Sequence, residues 1–80
     1  MAKILIIDDK RSIRNTMKDI LEFEKHTISL AENGREGLEM AVSKPFDLIF
    51  SDIKMPEMDG MELLQQLKER EVDVPVDDLS

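Results

Sequence analysis

Residues 47–60 read DLIFSDIKMPEMDG. Asp47 to Ser51 form a short, nearly continuous apolar run that ends on a carboxylate, Asp52. A run of this length has the signature of a strand buried on both faces, as in a parallel sheet. The segment IKMPEMDG that follows reads as a loop. Asp59 then has the character of a helix N-cap, with Glu62 three residues on at the matching position. Leu63, Leu64 and Leu67 give the third helix its buried face, opposite Gln65, Gln66, Lys68 and Glu69.

The same order of strand, carboxylate and helix occurs earlier. Residues 3–9, KILIIDD, are an Ile-rich run that closes on Asp8 and Asp9. Ile13, Met17, Ile20 and Leu21 then recur at helical spacing, with Arg14, Lys18, Asp19 and Glu22 between them on a wet face. Thr27 to Ala31, TISLA, alternates and suggests a second strand. Asn33-Gly34 breaks the chain, and Asn33 with Glu36 resembles a capping box. Leu38, Ala41 and Val42 form the apolar face of helix two, which Pro45 ends. Val74, Pro75 and Val76 open a partial fourth strand. The next residues are Asp77 and Asp78, where apolar residues are expected. This β-α-β-α-β-α order implies a three-layer α/β architecture on a parallel sheet with right-handed crossovers. If strands one and three are neighbours, the sheet order is 2-1-3-(4).

Composition narrows the possibilities further. Eighty residues make one domain at most, with a core of Ile, Leu, Val and Met and no cysteine for a disulfide or thiolate metal site. The formal charge of −7 argues against a nucleic-acid-binding surface. No apolar run approaches the roughly 20 residues of a membrane span, and the four-residue apolar run at the start is no secretory signal. A cytoplasmic location is the expectation.

Chemistry in open parallel sheets gathers beyond the carboxyl ends of the strands. That rule brings Asp8, Asp9 and Asp52 together. Two charges about 4 Å apart repel by about 4 kcal/mol at an effective dielectric near 20. Such a cluster persists if it holds a cation, keeps a proton, or is screened by water. Oxygen ligands without nearby His or Cys point to Mg²⁺ or Mn²⁺. A carboxylate beside such an ion is also a competent nucleophile toward phosphorus. The bland alternative is that Asp8 and Asp9 cap helix one and Asp52 merely ends a strand.

ILIIDDK and DLIFSDIKMPEMDG together resemble the receiver domain of two-component response regulators, over residues 3 to about 76. The resemblance implies a flavodoxin-like receiver fold, incomplete after the third βα unit. It further implies Asp52 as phosphoacceptor, Asp9 as direct metal ligand, and Asp8 supporting the metal through water. The backbone carbonyl of Lys54 completes the protein's metal ligands, Met55 and Pro56 shape the loop, and Gly60 lets helix three start in close packing. The implied partner is a sensor histidine kinase or phosphotransfer protein, with acetyl phosphate as a small alternative donor. Receivers also carry a hydroxyl at the end of strand four, where Ser80 stands nearby, and a lysine and an aromatic on strand five, which these residues lack.

Two rival readings fit less well. Haloacid-dehalogenase-type phosphatases use D-x-D after strand one, whereas Asp8 and Asp9 are adjacent. A dinucleotide-binding domain needs a glycine-rich turn that is absent here. His26 reads as a solvated or C-terminal helix residue, and Met55, Met58 and Met61 as packing.

The sequence-level expectation is therefore a single truncated receiver-like domain over residues 1–80, with 72–80 a frayed or altered fourth strand. Its phosphorylation at Asp52 is expected to be weak or absent without the strand-five lysine. Buried unpaired acids cost several kcal/mol, so either the strand frays at Asp77 and Asp78 or those acids face water. A bare sheet edge and helix-one face also suggest a homo-oligomer. The alternative function is a non-catalytic half-domain that pairs with itself or with another half.

Overall fold

The computed structural model describes residues 1–52 and 58–78. The elements follow in the order β1 (Lys3–Ile7), α1 (Arg11–Phe23), β2 (Thr27–Ala31), α2 (Gly34–Ser43), β3 (Leu48–Ser51), α3 (Gly60–Glu69) and β4 (Val76–Asp78). The four strands form one sheet of order β2-β1-β3-β4, and every neighbouring pair is parallel. This is the parallel α/β sheet that the alternation of elements implies, in the strand order that the resemblance to a receiver implies.

Strand alternation divides the core into two layers. Leu5, Ile7, Ala31 and Ile49 meet Leu38 and Ala41 of α2 and Leu63 and Leu67 of α3. Ile4 and Ile6 are equally buried but lie outside that cluster, on the other side of the pleat, beneath α1. Each such side chain contributes about 1.5–3 kcal/mol by leaving water. Gly37 permits the close approach of α2, because a β-carbon there would meet the side chain of Ile7.

Both expected N-caps form. Asn33 Oδ1 accepts from the Glu36 N–H at 2.8 Å, and Asp59 Oδ1 accepts from the Glu62 N–H at 2.9 Å. Glu36 Oε1 reaches back to the N–H of Glu32 at 3.3 Å, one residue earlier than in the usual capping box. α2 closes with Lys44 in extended geometry, as the following proline requires.

Helices α1 and α3 end in a way the sequence conceals. Lys25 and Glu71 have φ of 71° and 58°. At α1 the N–H of Lys25 donates to Glu22 O and that of His26 to Leu21 O; at α3, Glu71 donates to Lys68 O and Val72 to Leu67 O. These are paired Schellman closures with a charged residue where glycine is usual.

Several expectations about faces change. Val42 and Leu64 are 50% and 36% exposed, so neither belongs to the buried face assigned to its helix. α1, for all its apolar periodicity, has no buried residue, and Ile13 and Ile20 are partly open to water. His26 is not helical and is only partly exposed to solvent. It is half-buried just before β2, and its Nδ1 accepts from the N–H of Ala2 at 3.0 Å.

The fourth strand forms later than Val74, and it does not fray at the acids. Val76, Asp77 and Asp78 pair with Ile49, Phe50 and Ser51. Both Asp77 and Asp78 are exposed on this edge strand, so the ladder continues without burying either charge.

Candidate functional site

The register of the two central strands builds the site. Ile7 of β1 lies beside Ser51 of β3, so the next residues, Asp8 and Asp52, emerge side by side. Ladder hydrogen bonds run one residue past each strand and hold both in place. The Asp8 N–H donates to Ala31 O at 3.1 Å, and the Asp52 N–H donates to Ile7 O at 3.1 Å. Asp8 and Asp52 are buried, while Asp9 is exposed at the rim. One carboxylate oxygen from each of Asp8, Asp9 and Asp52 falls within 4.8 Å of the others.

Nearby groups compensate part of this charge. Asp8 Oδ1 accepts from the Lys10 N–H at 2.8 Å, and the Asp8 carbonyl accepts from Arg14 Nη1 at 2.8 Å. Lys10 Nζ lies 3.6 Å from Asp9 Oδ1 and 4.0 Å from Asp52 Oδ2. The sequence had placed Arg14 on the wet face of helix one and had given Lys10 no role.

The capping alternative finds no support at α1. Its N-cap is Lys10, which makes no side-chain capping bond, and Asp8 accepts from Lys10 itself rather than from the first helical turn. Asp8 and Asp9 are thus directed toward Asp52. The donor set is all oxygen, and the single histidine lies before β2, by the start of β1, at the opposite end of the sheet. Hard carboxylate oxygens at this separation fit Mg²⁺ or Mn²⁺. The expected contributions of Lys54, Met55, Pro56 and Ser80 lie outside the described residues. Gly60 is described, as the first residue of α3.

A family model for the response regulator receiver domain matches residues 4–79. This chain belongs to that family. Response regulator MprA of Mycobacterium ulcerans is 38% identical over 75 residues, covering 94% of this chain and 32% of that protein. MprA of Mycolicibacterium vanbaalenii is 35% identical over 75 residues, with the same shares covered. The receiver thus spans about a third of the length of these curated relatives.

Solved receiver structures agree. The receiver domain of the Francisella response regulator 1452 matches with a TM-score of 0.90 and 30% identity, over 95% of this chain and 63% of that one. TrrA of Thermotoga maritima, solved in complex with Mg²⁺-BeF, matches with a TM-score of 0.87 and 36% identity, over 95% and 66%. The chain is a receiver domain of a two-component response regulator, a class that works with histidine kinases or phosphotransfer proteins. Receivers generally bind Mg²⁺ at an acidic pocket, and a cluster of that kind is present here. Among the described residues, no helix is long and apolar enough to cross a membrane.

Proposed function

We propose that this receiver accepts a phosphoryl group on Asp52 with the help of a divalent cation held by Asp8, Asp9 and Asp52. The observation that carries the reading is the convergence of these three carboxylates, with oxygens within 4.8 Å, at the carboxyl ends of β1 and β3. TrrA, its relative in complex with Mg²⁺-BeF, supports the same reading. By the resemblance to receivers, Asp9 would bind the ion directly, Asp8 would support it through water, and the backbone carbonyl of Lys54 would complete the set.

A bound cation supplies positive charge that offsets repulsion between the carboxylate and phosphoryl oxygens. An Asp52 oxygen attacks phosphorus, and the bond from phosphorus to the donor's imidazole nitrogen breaks. The nitrogen keeps the bonding pair, leaving an aspartyl phosphate. Burial of Asp52 limits water around the reacting oxygen, and the extended ladder bond from its N–H fixes its backbone.

Intact-mass measurement after incubation with acetyl phosphate tests this. A substoichiometric adduct of one phosphoryl group is expected with Mg²⁺, and none with chelator or in Asp52→Asn. An adduct that persists in Asp52→Asn overturns the assignment, as does the absence of any adduct.

A second reading concerns assembly. α1 buries no residue, and Ile13, Ile20 and Phe23 are 38%, 54% and 85% exposed. Two copies pairing through this helix would cover them. Pairing through β4 is disfavoured, because it brings the acids Asp77 and Asp78 of the two copies close together and like charges repel. Sedimentation should show a dimer that Ile20→Lys dissolves; a monomer at millimolar concentration counts against this reading.

A further inference from the structure

Lys10 is an unusual residue for its place. As the N-cap of α1 it offers no acceptor to the unpaired N–H groups of the first turn. Its positive charge also opposes the helix dipole at that end. A residue serving only to start the helix would be Ser, Thr, Asp or Asn. The surroundings of Lys10 supply the missing reason. Its N–H is held by Asp8 Oδ1 at 2.8 Å, and its ammonium stands 3.6 Å from Asp9 and 4.0 Å from Asp52. All three acids of the cluster therefore engage this one residue, one through the backbone and two through the side chain.

We propose that Lys10 is a tethered cation that compensates the Asp8–Asp9–Asp52 cluster and competes with the divalent ion for it. The inference rests on the reading of that cluster as a cation-binding phosphoacceptor site. Charge balance is the physical basis, since three carboxylates within 4.8 Å need positive charge nearby in the metal-free protein. Lys10 meets that need from within the chain, and its side chain is 60% exposed, so the flexible stem swings clear when a divalent ion arrives. Its displacement then lowers the net affinity for the ion. Lys10 is in this sense a positioning and tuning residue, and it need not touch the phosphoryl group.

Exposed pairs are individually weak, and two of them together correspond to roughly three- to tenfold in an equilibrium. The test is a Mg²⁺ titration of the full chain, followed by amide shifts, on wild type, Lys10→Gln and Lys10→Arg. Lys10→Gln is expected to bind Mg²⁺ about three- to tenfold more tightly, and Lys10→Arg to stay near wild type. The difference should shrink in about 0.5 M KCl, where screening shortens to a few ångströms. A residue serving only as a helix start would change stability without moving the Kd. Equal Kd values for wild type and Lys10→Gln overturn the proposal and leave the metal reading standing. If no variant binds Mg²⁺, the metal reading fails and the competition fails with it.

Discussion

Gly34, the first residue of α2, packs against Met58 with no room for a β-carbon. One built there would lie 2.9 Å from Met58 Cβ and closer still to its carbonyl oxygen. The contact joins the start of α2 to the residue that precedes the Asp59 cap of α3. Alanine in place of glycine favours a helix by about 0.5–1 kcal/mol. Overpacking against backbone costs about 1–3 kcal/mol, and the second effect is larger. Gly34→Ala should therefore destabilise. A β-carbon at Gly37 meets Ile7 side-chain atoms, Cδ1 and Cγ1 first, with no backbone atom among its nearest neighbours, so Gly37→Ala should lose less. Urea unfolding of the two variants decides the order, and a reversed ranking would show that Met58 yields easily.

The caps carry separate stability. Asn33→Ala and Asp59→Ala each remove a hydrogen bond under 3 Å to the first turn of a helix. Each should cost about 1 kcal/mol. In a domain this small that corresponds to a fall of about 4–8 °C in Tm. Calorimetry that finds either variant unchanged would mean that water caps the helix equally well.

The two Schellman closures point the other way. Lys25 and Glu71 hold positive φ without being glycine, at a cost of about 1–2 kcal/mol each. Glycine relieves that strain but loses more entropy on folding. Lys25→Gly and Glu71→Gly are each expected to raise stability by about 0.5–1 kcal/mol. The larger gain belongs to Glu71→Gly, which also removes a negative charge from the negative end of α3. Chemical denaturation midpoints measure both, and a lower midpoint in either counts against the strain.

Charge at the site links stability to metal. Asp52→Asn removes one of three mutually repelling carboxylates and should melt higher than wild type in chelator. In wild type, Mg²⁺ should raise Tm, with a gain of about 1.4 kcal/mol when the ion stands tenfold above its Kd. That gain should vanish in Asp52→Asn. Scanning calorimetry with and without Mg²⁺ makes the comparison, and equal stabilisation of both proteins would remove Asp52 from the ligand set.

Much of the candidate site was legible before any coordinate. The Ile-rich run before Asp8 and Asp9 and the apolar run before Asp52 announce parallel strands that end in carboxylates. Strand polarity alone then places those acids at one edge. Lys10 was not legible, because a lysine beside acids in sequence is ordinarily a solvated charge. Its role depends on Asp52, which is distant in the chain and near only through the Ile7–Ser51 register. The Schellman ends escaped for a related reason: their usual mark is glycine, and Lys25 and Glu71 hold the same geometry without it.

Periodicity was reliable for the existence of elements and weaker for their faces. Leu64 and Val42 fit the helical spacing of core residues yet stay about a third and a half exposed, respectively, because spacing defines a stripe and only packed neighbours define its buried width. Asp77 and Asp78 show the same division. By sequence they contradict a buried strand; in the fold they belong to an edge strand and their side chains are exposed. Local patterns, which depend on near neighbours in the chain, determined the elements, their order and the identity of the three acids. Tertiary structure alone decided burial, register and the reach of Lys10, since each depends on contacts between segments far apart in sequence.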